Sequence, residues 1–289
     1  MGQKKAIAVL AQVLMTVVRG KLSMTNTTTI DSTATIHPTT RLGKNVHIGP
    51  YCVIGPGSEI GDGTVLKNHV TVGLNTKMGR NNTAYPYSSI GSDPQDLSWH
   101  GEDTHLVIGD RNVFRESVTV NRGTHKGDGF TRVGNGNLIM ACAHIAHDCL
   151  LGDNIIMANN SLLAGHVIIE DRAILNGAAA VHQFTTVGKL SYVGGLTRIV
   201  QDVPPYMIVE GNPSKVRKVN IVGLQRNGVG QERINALKKV YRALFRSRKP
   251  RAEVVAEFEG QEDLTPEVQE LIEFLRRVDR GRHGRGRNV

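Results

Sequence analysis

The 289-residue chain is 39% hydrophobic, enough for a packed core, and its formal charge of +9 comes without a nucleic-acid motif, which argues against a nucleic-acid-binding protein. Aromatics are only 4% and glycines number 32, a composition that excludes a thick layered core and suits a thin solenoid of small side chains and tight turns. Much of the positive excess lies in Lys4 and Lys5 and between Arg276 and Arg287, which reads as a solvated basic tail or as attraction to an acidic partner. Residues 1–29 read as an N-terminal extension. Its apolar run Ala6–Val18 follows Lys4 and Lys5 as in a leader, but Gln12 interrupts it and Arg19 and Lys21 follow without a small-residue cleavage site. The run is also too short to span a bilayer, so no stable membrane insertion is expected. Cys52, Cys142 and Cys149 are odd in number and lack Cys-x-x-Cys spacing, which points to a reducing, cytoplasmic location.

From Ile30 every sixth residue is apolar: Ile36, Leu42, Ile48, Ile54, Ile60, Leu66, Val72, Met78, Ala84 and Ile90. The series pauses over Gly91–Val107, resumes in register at Ile108, Phe114 and Val120, and pauses again over Asn121–Arg132. It then continues one residue out of register from Val133 through Ile139, Ile145, Leu151 and onward to Ile199. The residue after each anchor is often glycine, as at Gly43, Gly61, Gly73 and Gly109, which suits a corner needing a permissive backbone. Six residues are too few for an amphipathic helix but fit one short strand and one turn. Three such units close a triangular coil whose stacked anchors form the core, so residues 30–213 read as a mainly β, parallel β-helix. The pauses near 91–107 and 121–132 should be loops ejected from the prism, where function concentrates.

Pro204 and Pro205 end the repeat, since two prolines cannot keep donating to strand ladders. Residues 214–289 read as a small helical domain. Ile234, Leu237, Val240, Tyr241 and Leu244 line one helix face, and Thr265-Pro266 opens a second helix carrying Val268, Leu271, Ile272 and Leu275. The basic terminal stretch Gly281–Val289 is expected to be disordered.

His144 and His147 are followed by His166 and His182, offset from His147 by roughly one and two 18-residue coils. With neighbouring strands ~4.8 Å apart, His147, His166 and His182 should form a line ~10 Å long. An imidazole beside a carboxylate suits hydroxyl activation, with His147 as general base and Asp148 as its support. A metal site is the rival reading, opposed by the spacing of His144 and His147 on one strand and turn; no metal is expected. No nucleophilic serine or cysteine motif adjoins these histidines, which favours direct transfer over a covalent enzyme intermediate. The backbone N–H of Gly165, unobstructed by a side chain, is the expected oxyanion donor.

The spacing resembles the hexapeptide-repeat acyltransferases, whose fold is a left-handed parallel β-helix and which work as trimers. More closely, His144-Ile145-Ala146-His147-Asp148-Cys149, Leu163-Ala164-Gly165-His166, Ala180-Val181-His182-Gln183-Phe184, Gln201-Asp202-Val203-Pro204-Pro205-Tyr206 and Gly211-Asn212-Pro213 resemble the UDP-N-acetylglucosamine O-acyltransferase family of lipid A synthesis, as does Asp93-Pro94-Gln95-Asp96-Leu97 in the first loop. The resemblance implies transfer of a 3-hydroxyacyl chain from acyl carrier protein to the glucosamine 3-hydroxyl of a UDP-sugar by a cytoplasmic homotrimer with sites between adjacent prisms. The carrier-protein thioester is the donor and no cofactor is implied. It gives His147, Asp148 and Gly165 the catalytic roles. It puts Asp96, His144, His166, His182 and Gln183 around the sugar and acyl groups, and Asn220 and Arg226 near the UDP end. Gly195 stands where a residue limits acyl length, so a longer chain is expected. Three positions depart from the pattern: Ser98 replaces a common lysine, Asn227 follows Arg226 in place of a second basic residue, and Val222 stands where an acidic nucleotide contact occurs. These leave open the 3-amino sugar as acceptor. A related N-acyltransferase would need a further uridine-binding domain before the prism, and a metal-binding prism protein or non-catalytic scaffold is the reading from another class.

Overall fold

A computed structural model describes residues 27–261 and 263–287, so residues 1–26 of the extension lie outside it. The described chain is the expected left-handed parallel β-helix followed by helices. Short strands stack into three sheets of eleven, nine and eight strands. A strand returns every 18 residues, as Ile30 pairs with Ile48 and Ile145 with Leu163. The coils bearing the excursions are longer: Ile108 lies beside Met78, and Val133 beside Ile108. The excursions occupy residues 93–104 and 122–129, each leaving the coil at the nine-stranded sheet and re-entering it at the eight-stranded one. Buried Arg122 ties them together, donating to Asp93 Oδ1 and Gly91 O at 2.6 Å each, while Asn121 Nδ2 donates to Asp93 O at 2.7 Å. Paired this way, a buried guanidinium is tolerable.

The anchors fill the prism. From Ile48 to Ile199 they are buried, whereas Ile30 is 50% exposed because it caps the described stack. Each buried aliphatic anchor contributes about 1.5–3 kcal/mol.

The corners correct one expectation. Left-handed backbone falls three residues after the anchor, not one, at Asn45, Tyr51, His69, Asn81, Asp148, His166 and Phe184 among others. Non-glycine residues accept that conformation at a cost of about 1–2 kcal/mol each. The glycine after the anchor serves close approach between coils: a Cβ on Gly61 would lie 2.4 Å from Gly79 O, and one on Gly73 1.9 Å from Gly91 O.

The prism does not stop at residue 213. Met207–Glu210 pairs parallel with Tyr192–Val193, and Lys215–Val219 returns antiparallel beside it, so the C-terminal unit opens on a strand of the prism. Four helices follow: α1 (Ile221–Arg226), α2 (Gln231–Arg246), α3 (Arg251–Glu259) and α4 (Pro266–Arg280). The faces read for α2 and α4 are the buried ones. They pack with Leu224, Val254 and Phe258 against Leu190, Tyr206 and Met207 at the prism's end. The tail is a second correction. Residues 281–287 dock on the prism, where Gly286 N donates to Asp202 Oδ2 at 2.7 Å and Asp202 N to Gly284 O at 2.8 Å. Local charge suggested a solvated block, but glycines and the half-buried Asp202 carboxylate make a docking strip. Among the described residues no helix is long and apolar enough to cross a membrane.

Candidate active site

The turn after strand His144–Ile145 builds the site. Asp148 takes the left-handed corner position (φ 60°), and one and two coils on the same position is held by His166 and Phe184, each at 61°. Two columns therefore run side by side: His147, Gly165, Gln183, and Asp148, His166, Phe184. Backbone bonds join them, from His166 N to His147 O at 3.0 Å and from Phe184 N to Gly165 O at 3.3 Å. The His166 ring meets His147 edge-on, centroids 5.3 Å apart, and stacks on Phe184 at 4.6 Å. The expected line of three histidines is thus His147, His166 and Phe184. His182 sits two positions before the corner, in the column of Ala164, and its Nδ1 lies 3.1 Å from Gln183 O and 3.2 Å from Arg285 Nη1. Offsets of 19 and 35 residues, one coil plus one and two coils minus one, suggest nearby corners in a line, yet a single-residue offset changes column in a turn and sets His182 apart.

His147 and Asp148 form a defined dyad. His147 Nδ1 is 2.7 Å from Asp148 Oδ2, and Asp148 is buried. Thr124 in the second excursion donates its N–H to Asp148 Oδ1 at 2.9 Å and its hydroxyl to Oδ2 at 2.6 Å, and Asp148 N–H donates to Thr131 Oγ1 at 2.8 Å. Burial pushes the Asp148 carboxyl up, but the bonds from His147 and Thr124 outweigh it and hold it below the ordinary carboxylate value. An ionised carboxylate only accepts, so Nδ1 carries the proton and Nε2 presents its lone pair. Burial first, then His147, lowers His144, whose Nδ1 lies 2.8 Å from Thr119 Oγ1. Burial likewise lowers His166, against the opposing pull of Asp148, so both rings favour the neutral form.

Gly165 lies directly beneath the imidazole. A Cβ there would be 2.5 Å from His147 Cε1 and 2.7 Å from Nε2, so only glycine leaves the ring its place. Among the described residues its N–H donates to no protein acceptor. Asp96, from the first excursion, closes the far side with Oδ2 3.9 Å from His147 Nε2. Ser98 donates to Asp96 through its N–H and hydroxyl at 2.8 Å each, and Lys126 Nζ reaches both Asp96 oxygens at 3.0 and 3.1 Å. These donors, the Ser98 N–H foremost, hold the Asp96 carboxyl far below its ordinary range.

The remaining candidates lie apart from this cluster. Gly195 is exposed at a turn, stacked above Gly177, whose carbonyl oxygen would be 3.3 Å from an added Cβ. Arg226 is exposed at the end of α1. Asn220 is occupied by the fold: its Oδ1 accepts from Gly223 N at 3.1 Å as the N-cap of α1, and its Nδ2 donates to Leu190 O at 2.8 Å. Sequence reasoning missed Thr124, Lys126 and Thr131, which sit in or beside an aperiodic loop, and Arg287, whose Nη1 donates to His166 O at 2.6 Å from the tail taken as disordered.

One group of described residues could hold a metal ion, namely His147, Asp148 and His166, with one ligand atom from each mutually within 4.8 Å. The 2.7 Å His147–Asp148 contact is a hydrogen-bond length, and an ion at ~2 Å from each atom would have to displace its proton and spread the pair. The fit favours a proton-transfer dyad.

Residues 202–283 match the family described as Udp N-acetylglucosamine O-acyltransferase, domain 2, and residues 39–74 match the bacterial transferase hexapeptide family. An acyl-[acyl-carrier-protein]--UDP-N-acetylglucosamine O-acyltransferase of Anaeromyxobacter sp. is 43% identical over 71% of this chain and 80% of its own length. A protein of the same name from Synechocystis sp. is 44% identical over 72% and 76%. The structure of a UDP-N-acetylglucosamine acyltransferase from Bacteroides fragilis superposes with TM-score 0.84 at 36% identity, covering 86% of this chain and 97% of that one.

Proposed function

The chain belongs to the UDP-N-acetylglucosamine O-acyltransferase family, and we propose that His147 is the general base of its acyl transfer. The donor is an acyl thioester of acyl carrier protein and the acceptor UDP-N-acetylglucosamine. The group transferred is a 3-hydroxyacyl chain, the attacking group is the glucosamine 3-hydroxyl, and the product enters lipid A synthesis.

The observation that carries the base assignment is the 2.7 Å contact between His147 Nδ1 and buried Asp148, which leaves Nε2 free to accept a proton. Nε2 takes the proton of the sugar hydroxyl as its oxygen bonds to the thioester carbonyl carbon. Asp148 stabilises the imidazolium that forms. The Gly165 N–H meets the oxyanion, and collapse of the adduct breaks the C–S bond as Nε2–H returns the proton to the departing sulfur. A covalent cysteine intermediate is disfavoured, since burial pushes the Cys149 thiol up to about 12. His144, His166, His182, Gln183 and Asp96 bind sugar and acyl groups. Arg226 binds the diphosphate, where a guanidinium suits two anionic groups. Asn220 acts at the UDP end through the position it gives α1.

The working enzyme is a homotrimer with sites between prisms. In support, outward positions of the eleven-stranded sheet form a half-buried apolar column, Val65, Val113, Leu138, Ile156, Ile174 and Tyr192, interrupted by Thr83. Such a face is suited to cover by another copy. Free Cys52, Cys142 and Cys149 agree with a cytoplasmic location.

The test offers UDP-N-acetylglucosamine and its 3-amino analogue with 3-hydroxyacyl carrier proteins of several lengths to wild type and His147→Ala. O-acylation by wild type and loss of at least ~10³-fold in the variant are expected. Unchanged turnover in His147→Ala would overturn the base, preference for the amino sugar would overturn the acceptor, and stoichiometric zinc in active protein would overturn the metal-free dyad.

A further inference from the structure

We propose that Lys126 is a positioning residue that neutralises Asp96 on the Nε2 side of His147 and so reserves that nitrogen for the substrate proton. The proposal rests on the assignment of His147 as base.

Two carboxylates flank this imidazole. Asp148 binds Nδ1 at 2.7 Å, as the dyad requires, while Asp96 Oδ2 stands 3.9 Å from Nε2. A free carboxylate at that distance stabilises the imidazolium and draws a proton onto Nε2, which opposes the base. Lys126 counters this. Its ammonium spans both Asp96 oxygens at 3.0 and 3.1 Å, the nearer contact being to Oδ2, the oxygen that faces His147. The other groups facing the ring are His166, edge-on at 5.3 Å, and His144, both shifted by burial toward the neutral form, and neither supplies a compensating cation. Among the described residues no other lysine or arginine pairs with Asp96 or Asp148.

The second excursion is built to do both jobs. Thr124 holds Asp148 through its N–H and hydroxyl. Gly127 lies so close that a Cβ there would be 2.4 Å from Asp148 Oδ1. Between them, Lys126 reaches the opposite carboxylate. Residues 124–127 thus grip the acid on each side of the imidazole and set the two sides unequal. Lys126 is not what anchors the loop: buried Arg122, paired with exposed Asp93, does that, with the 3.2 Å His125–Glu102 contact beside it. Ser98 donates only to Asp96 Oδ1, through its N–H and hydroxyl, whereas Lys126 also reaches Oδ2.

The experiment measures kcat/KM for UDP-N-acetylglucosamine against pH for the purified full chain as wild type, K126M, K126R, D96N and D96N/K126M, with thermal midpoints recorded. In K126M the acidic limb should move up by about 0.5–1 pH unit, which is a ~3- to 10-fold loss at pH values below the limb. K126R should restore it, and D96N and D96N/K126M should share one limb, because Lys126 acts through Asp96. A K126M limb coincident with wild type, or a shift that persists in the D96N background, overturns the proposal. If His147→Ala is inactive while K126M shows no shift, Lys126 alone is wrongly assigned; if His147→Ala is active, the base is.

Discussion

Gly165→Ala isolates the geometry of the base from the chemistry of the oxyanion donor. Alanine keeps the backbone N–H, and Gly165 does not use the left-handed region, so neither donor nor backbone is lost. What changes is space. The new methyl would sit 2.5 Å from His147 Cε1 and 2.7 Å from Nε2, against the ~3.5–4.0 Å of an ordinary carbon contact. The ring must retreat by about 1 Å, yet it is held at Nδ1 by Asp148 at 2.7 Å and edge-on by His166. A displacement of that size costs a reaction ~10²-fold, and rupture of the Asp148 bond would add to it. The expected result is kcat/KM for acyl transfer reduced about 10²-fold, with a thermal midpoint near wild type. Activity within threefold of wild type, with the imidazole unmoved in a crystal structure of the variant, would refute the reasoning.

Asp148→Asn puts an amide where the carboxylate accepts from Thr124 N, Thr124 Oγ1 and His147 Nδ1, so one donor must face another. kcat should fall by ~10²–10⁴ with little change in KM, and an unchanged kcat would count against the dyad. Stability should fall as pH drops, in two steps. His144 and His166 are lowered by burial, so below about pH 6.5 the unfolded chain takes up protons that the folded chain refuses. Asp148, also lowered, contributes stability above its unfolded value of about 3.9 that is lost as pH falls through the folded one. Thermal midpoints across pH should show both, and His144→Gln should shrink the first; an identical slope there would sink the assignment. Gly195→Met fills the open corner above Gly177 and should shift donor preference toward shorter 3-hydroxyacyl chains, read by competition between carrier proteins; unaltered preference would remove Gly195 from the acyl path. Deleting residues 282–289 removes the bonds to Asp202, His182 and His166 and should cost about 2 kcal/mol, seen as a midpoint lower by several degrees. An unchanged midpoint would mean that the docked tail adds no net stability.

The prism was legible because six-residue spacing is a geometric requirement repeated at every coil, so a break at Asn121–Arg132 announces itself as a slip. What spacing does not carry is the identity of columns. His166 and His182 look alike at coil-length offsets, but the corner belongs to Asp148, His166 and Phe184, and Phe184 is the residue that stacks. The excursions were visible only as silences in the period. Thr124 and Lys126 had no coordinate in the repeat, and their partners Asp148 and Asp96 lie 24 and 30 residues away. The tail misled for a different reason: charge density describes solvation of a free segment and is blind to a half-buried Asp202 awaiting donors.

The residues proposed for the two ends of the substrate sit in different kinds of structure. Every group around the transferred proton is fixed from several directions, by column neighbours at Gly165 and His166 and by loop donors at Thr124 and Lys126. The nucleotide end is not. Asn220 has its side chain committed to the cap of α1 and to Leu190, Arg226 stands exposed at the end of that helix, and Val222 is 55% exposed. Exposed groups on a short helix lack the support that makes diphosphate recognition selective, so the proposed nucleotide site calls for further groups from a neighbour packed against the prism. In the proposed homotrimer a second prism would fill that place, so that one chain carries the proposed base His147 and the interface completes the proposed hold on UDP.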